Sequence, residues 1–242
     1  MAIIPLTHVC RYWRESIISA PWSWTTISNS QRNLAEVSLE RAKSALLEIH
    51  LGMDGIREDP QFLDLLVPHF RNTETLQLIC LWTIEGLSLF SQHPMTNLRS
   101  LTLSGDGGGD WDQSINLFES STYTLRYLTF LAIPLYPSFL QFRSLTELDL
   151  FDYCFNLHLD TLLDFLEANR SLKSAKLEIR FVGPSLRTLR RRAPIQNRLR
   201  YLDITCSNAM DGRALISCVA LSKGARLKLD CSRRLGLDDV HV

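Results

Sequence analysis

Eight short segments repeat one pattern along this chain: an apolar residue, any residue, then a second apolar residue. They are LEIHL, TLQLIC, LRSLTLSG, LRYLTFL, LTELDLF, LKSAKLEI, LRYLDITC and ARLKLDC. A further Leu often stands three positions ahead. The first apolar position falls at Leu47, Leu76, Leu101, Leu128, Leu148, Ala175, Leu202 and Leu227, so the spacings are 29, 25, 27, 20, 27, 27 and 25 residues. Alternate residues of a strand face the same side. Each segment therefore predicts a short strand with two apolar side chains turned inward and the residue between them turned to solvent. One such unit cannot bury its own apolar side, so neighbours must stack.

Between these strands, DPQFLDLLVPHF, LDTLLDFLEAN and MDGRALISCVAL place apolar residues at helical spacing. Asp160 is the expected N-cap of the second. The shortest repeat contains Pro134 and Pro137, which predict an extended connection or a turn instead of a helix. A period of about 20–29 residues is that of leucine-rich repeats. The expected fold is α/β: a leucine-rich-repeat-like solenoid over residues 44–242, with a curved parallel sheet in chain order and helices on its convex side. A doubly wound α/β domain also alternates strands and helices, but eight near-equal short units are unusual there.

Aligning the repeats gives a solvent-facing middle column of Gln77, Thr102, Thr129, Asp149, Lys176, Asp203 and Lys228. Its last four members alternate in sign and are expected to pair across adjacent strands. The flanking columns hold Tyr127, Glu147 and Tyr201 on one side and Phe151 on the other. Aromatic side chains on a solvent-facing sheet point to a binding surface, because Tyr adds contact area at low entropy cost. These four residues are the expected partner-binding surface. The competing expectation is that a loop or the C-terminal tail covers them. Cys80, Cys206 and Cys231 each follow the second apolar residue by two, so they should face inward.

Composition narrows the class. Hydrophobic residues make up 45% and charged residues 21%, as in an ordinary globular chain. Lys+Arg and Asp+Glu are both 26, so no global footprint for nucleic acid or membrane is present. No apolar run is long enough to span a bilayer, and no secretory signal is visible. The six cysteines form no C-x-x-C pair and are too sparse for a disulfide scaffold. A reducing compartment, cytoplasm or nucleus, is expected.

Chemistry-bearing motifs are weak. SGDGGGDWD lacks a phosphate-loop pattern and its Lys, and Asp106, Asp110 and Asp112 do not have calcium-loop spacing. A loop between repeats accounts for it. His8, His50, His69, His93, His158 and His241 are scattered and match no metal or nucleophile signature. RTLRRRAPIQNRLR gathers Arg187, Arg190, Arg191, Arg192, Arg198 and Arg200. It fits either a site for acidic or phosphorylated peptide or a solvated outer helix. No enzymatic activity, cofactor or metal is expected.

The chain opens differently. In THVCRYWRESIISAPWSW, Val9, Trp13 and Ile17 lie on one helical face and Pro21 ends the helix; NLAEVSLERAKSALLEIHL then predicts a second helix running into the first repeat strand. HVCRYWRESIISAPWSWTTI resembles the C-terminal part of an F-box, roughly V-C-x-x-W-x-x-x-A/I followed by P-x-L-W. LERAKSALLEIHL is similar to the segment after the F-box in the F-box/leucine-rich-repeat-like proteins of mushroom-type fungi. Val9, Cys10, Trp13, Pro21 and Trp24 sit on the motif, whereas Ser23 stands where a Leu is usual. No L-P-x-E-I/L signature of the first F-box helix precedes Val9, so residues 1–43 are expected to be a partial F-box-like helical segment. The resemblance implies a monomeric substrate receptor of a Skp–cullin–F-box ubiquitin ligase. Val9, Cys10, Trp13, Pro21 and Trp24 would dock a Skp-type adaptor and the solenoid would hold a protein substrate. The alternatives are a leucine-rich-repeat interaction protein without a ligase role, its tryptophans capping the solenoid end, or an enzyme of unrecognised type.

Overall fold

The computed structural model describes residues 10–81, 90, 92–105, 123–133, 141–181, 194–196, 198–206 and 209–231. Its strands are β1 (Thr26–Ser28), β2 (Leu47–Gly52), β3 (Thr73–Leu81), β4 (Ser100–Gly105), β5 (Tyr127–Leu131), β6 (Glu147–Leu157), β7 (Ser174–Phe181), β8 (Ile195–Gln196), β9 (Tyr201–Cys206), β10 (Val219–Ala220) and β11 (Arg226–Asp230). Nine of them form one parallel sheet in the order β1-β2-β3-β4-β5-β6-β7-β9-β11. The order follows the chain, as the repeat predicts. β8 and β10 pair separately, also in parallel.

The register reproduces the sequence alignment. Leu76, Leu101, Leu128, Leu148, Ala175, Leu202 and Leu227 stand opposite one another across successive strands. All but the last are buried, as are the second apolar positions Leu78, Leu103, Phe130, Leu150, Leu177 and Ile204. Burying a side chain of this size contributes about 1.5–3 kcal/mol. The apolar face is covered by helices that lie between the strands in sequence, α2 (Arg32–Ala42), α3 (Met53–Glu58), α4 (Gln61–Leu66), α5 (Leu159–Ala168) and α6 (Ala209–Cys218); α1 (Arg11–Ser19) precedes them. α5 shows the amphipathic logic most clearly: Leu159, Leu162, Leu163, Phe165 and Leu166 are buried, and Asp164 and Glu167 stand on its polar side.

Four details differ from the sequence reading. The first repeat aligns through Ile49, not Leu47: Ile49 pairs with Leu76, while Leu47 pairs with Thr73 across a bulge. The bulged residue is Glu74 of β3, but the difference comes from LEIHL having three inward residues, Leu47, Ile49 and Leu51, all buried, of which the last two stand opposite Leu76 and Leu78. Second, β1 adds a strand ahead of the first repeat, with Ile27 opposite Ile49. Its T-I-S sequence has one inward residue, too short for the repeat pattern to show. Trp24, Ile27, Ala35, Leu39 and Ala42 share one apolar cluster with the repeat strands. Third, the N-cap of α5 is His158 and not Asp160. Asp160 lies in the first turn, where a carboxylate complements the helix dipole without capping. Fourth, Leu227 and Leu229 are 43% and 40% exposed, because β11 is the edge of the described sheet. Pro134 and Pro137 lie outside the described residues.

Candidate functional site

The sheet has a second face, formed by the residues between the inward positions. Its middle column runs Ser28, His50, Gln77, Thr102, Thr129, Asp149, Lys176, Asp203 and Lys228. The charge alternation produces two ion pairs, Lys176 Nζ to Asp149 Oδ2 at 3.2 Å and Lys228 Nζ to Asp203 Oδ2 at 3.0 Å. At the other end, His50 Nε2 meets Glu48 Oε1 at 2.9 Å and His50 Nδ1 meets Gln77 Oε1 at 2.5 Å.

Tyr127, Glu147 and Tyr201 occupy one flanking column, in the order Tyr127, Glu147, Ser174, Tyr201, Arg226. Tyr127 is 45% exposed, Glu147 is exposed and Tyr201 is half-buried. Phe151 is half-buried in the opposite column, between Leu131 and Glu178. The four residues share a face but do not form one cluster. Tyr127 and Tyr201 are three strands apart, about 14 Å at the usual strand spacing, and Phe151 lies four residues further along β6 than Glu147.

Tyr201 is fixed more tightly than a surface aromatic needs to be. Its hydroxyl donates to Asp203 Oδ2 at 2.9 Å. That hydrogen bond, assisted by partial desolvation and the Asp203 charge, raises the phenol above its ordinary range. Lys228 is also raised, chiefly by its hydrogen bond to the same carboxylate. The other oxygen, Asp203 Oδ1, is buried without a hydrogen-bond partner. Glu178 is buried to 6% exposure on this face. An alternating pattern assigns it to solvent, so no sequence signal would have found it.

The N-terminal segment divides in two. Trp24 is 4% exposed; its Nε1 donates to the Ile17 carbonyl at 3.0 Å and the Arg41 guanidinium lies 4.4 Å from its ring centroid. Trp13, at 50%, and Trp22 and Tyr12, both at 76%, are exposed. Cys10 is exposed and Pro21 opens a short 3-10 turn after α1. Tyr12 and Trp22 are exposed aromatics that the motif does not flag. Val9 lies outside the described residues.

The remaining candidates carry less. A pocket of about 190 Å³ between α2 and the start of the sheet is lined by Thr26, Ser28, Gln31, Leu34, Ala35, Ser38 and His50. Its one titratable group, His50, has both ring nitrogens engaged as described. Among the described residues no three His, Cys, Asp or Glu side chains are placed to hold a metal ion, and no helix is long and apolar enough to cross a membrane. Cys206 is buried and Cys231 partly so, and both are free thiols with sulfurs 3.5 Å apart. Arg198 and Arg200 are exposed in the turn before β9. Asp106, Asp110, Asp112, Arg187, Arg190, Arg191 and Arg192, and the side chain of Cys80, lie outside the described residues. No family model, curated protein or solved structure matches the chain.

Proposed function

We propose that this chain is a non-enzymatic protein-binding module built as a leucine-rich-repeat-like solenoid. The observation that carries the reading is the face of the sheet opposite the helices, where Tyr127, Glu147, Phe151 and Tyr201 stand over a paired charge ladder. A protein substrate lies across that face. Of the motif residues, Cys10, Trp13 and Pro21 form a docking surface for a Skp-type adaptor together with their exposed neighbour Trp22, while the motif's Trp24 is withdrawn from it by burial, so the chain acts as substrate receptor of a Skp–cullin–F-box ubiquitin ligase in the cytoplasm or nucleus. The resemblance of residues 8–27 to the C-terminal part of an F-box supports this assignment.

Co-purification tests the adaptor contact. Wild-type chain should retain a Skp-type adaptor more than a Trp13→Ala/Trp22→Ala variant does; equal retention, or none by either, removes the ligase link.

A second reading, a repeat interaction protein without a ligase role, is favoured by Trp24. Its burial under Arg41 and its bond to the Ile17 carbonyl are those of a cap over the end of a stack, which repeat proteins require to cover their core. This reading keeps the substrate face and drops the adaptor.

A further inference from the structure

The chain has zero net charge, yet its cations are not evenly spread. The turns entering β7, β9 and β11 carry Arg170 and Lys173, Arg198 and Arg200, and Lys223, and Arg226 is the first residue of β11. All six are exposed. Residues 169–173, 198–200 and 221–226 contain no acidic residue. Among the described residues none of the six has an ion-pair or hydrogen-bond partner for its side chain.

These turns lie on one rim because the hydrogen-bond ladder continues beyond the strands. The Lys173 N–H donates to Thr146 O, Arg200 N–H to Lys173 O and Arg226 N–H to Arg200 O, each at 2.8 Å. The turns are also anchored. Leu172 and Leu199 are fully buried. Asn169 donates to Phe165 O at 3.0 Å and accepts from Leu145 N–H at 3.2 Å, and Ser222 Oγ donates to Leu199 O. The cations therefore project from fixed backbone, two to a strand. Helix dipoles do not account for them, since neither α5 nor α6 has a basic residue in its last turn.

We propose that this rim binds an acidic, Asp/Glu-rich peptide segment of a protein partner. Three adjacent turns at strand spacing span about 10 Å, which an extended peptide covers in about three residues. Arg guanidinium groups match carboxylates in a two-bond fork, and Lys supplies unspecific attraction beside them. On the β6 side the rim meets Glu147, opposite Ser174, and its outermost cation, Arg170, lines a cleft with Arg143, Asp164 and Glu167, so the uninterrupted cationic stretch runs from Lys173 to Arg226. A long polyanion such as nucleic acid would run over those carboxylates, whereas a short acidic run ends before them. Arg226 stands next to Tyr201 in register, so the rim is continuous with the aromatic face. The proposal rests on the reading of the chain as a protein-binding module and is independent of adaptor docking.

Fluorescence polarisation with a labelled Asp/Glu-rich peptide tests it, against a matched Asn/Gln-rich peptide and a single-stranded oligonucleotide of equal charge. The acidic peptide should bind best, and salt should weaken it. Lys173→Glu/Arg200→Glu should weaken it by about tenfold or more, while Arg57→Glu on α3 leaves it unchanged. Circular dichroism and thermal melting verify folding, and Lys173→Ala/Arg200→Ala replaces the reversal if that variant fails to fold. Equal binding of the neutral peptide, tighter binding of the oligonucleotide, or indifference to the rim variants overturns the proposal. Loss of acidic-peptide binding in Tyr127→Ala with the rim variants unaffected moves the site onto the sheet face, which overturns the rim and leaves the protein-binding reading standing.

Discussion

Tyr201 and Asp203, two residues apart on β9, turn to the same face and share a hydrogen bond of 2.9 Å. The bond holds the phenol neutral above the ordinary tyrosine value of 10.0, and Asp203 likewise holds Lys228 charged above 10.5. Both shifts are upward. Their stabilisation is fully present below these ordinary values and is lost as pH rises through the folded-state ones. In an absorbance titration of phenolate, one tyrosine should ionise later than the rest, and Asp203→Ala should return it to the ordinary range. Superimposable curves for the two proteins would contradict the assignment.

Leu202 and Leu227 are register partners with different surroundings: the first is buried and the second 43% exposed. Leu202→Ala should cost about 2–5 kcal/mol, as for a core truncation that leaves a cavity. Leu227→Ala should cost about half that or less, since a smaller area leaves the interior. Urea denaturation of the two variants gives the comparison directly, and equal losses would mean that the edge is covered in solution.

Cys206 and Cys231 should remain thiols in the cell despite their 3.5 Å separation. Neighbouring strands place their Cα atoms at a distance that a disulfide accepts, so a reducing environment is what would keep them as thiols. Mass spectrometry after alkylation in the lysate distinguishes the cases; a crosslinked 206–231 peptide contradicts the expected compartment.

Trp22 and Trp24 should separate stability from docking. Trp24→Ala removes a buried ring and should cost about 3–5 kcal/mol. Trp22→Ala, at 76% exposure, should leave the melting temperature unchanged. A destabilised Trp22→Ala would show that the exposed ring is covered in the folded chain.

On the sheet face, Phe151→Ala/Tyr201→Ala should fold and lose the partners recovered by wild type in a pull-down. Recovery of the same partners by the folded variant would remove these residues from the binding surface.

The sheet was legible in the sequence because alternation and spacing report one physical demand, the need of each strand to bury two side chains against the next. Leu101, Leu128, Leu148, Ala175 and Leu202 were aligned by that demand alone. It fails where the inward residues do not number two. LEIHL offers three inward residues where the repeat needs two, so alternation alone does not say whether Leu47 or Ile49 opens the pair. Ile27 has no second inward residue to make β1 visible. The candidate site was less legible. Tyr127 and Tyr201 were placed on the right face by counting, but their separation across three strands depends on topology. The rim cations were half seen, at Arg198 and Arg200. Arg170, Lys173, Lys223 and Arg226 join them only when parallel strands bring distant turns side by side.

The two ends of the sheet are unequal, and this gives the molecule a direction. β1 is backed by α2 and by Trp24, whereas β11 leaves Leu227 and Leu229 half exposed. In a stack where each unit touches chiefly its neighbours, loss of order starts at the weaker end and travels inward. Amide exchange should therefore be fastest in β11, slower in β9 and slowest in the centre, and a uniform rate along the sheet would contradict it. Arg226 stands on the first strand to open and Lys223 in the turn that enters it. An acidic partner seated there would clasp the fraying end, so that occupancy of the rim and persistence of the last repeat rise and fall together.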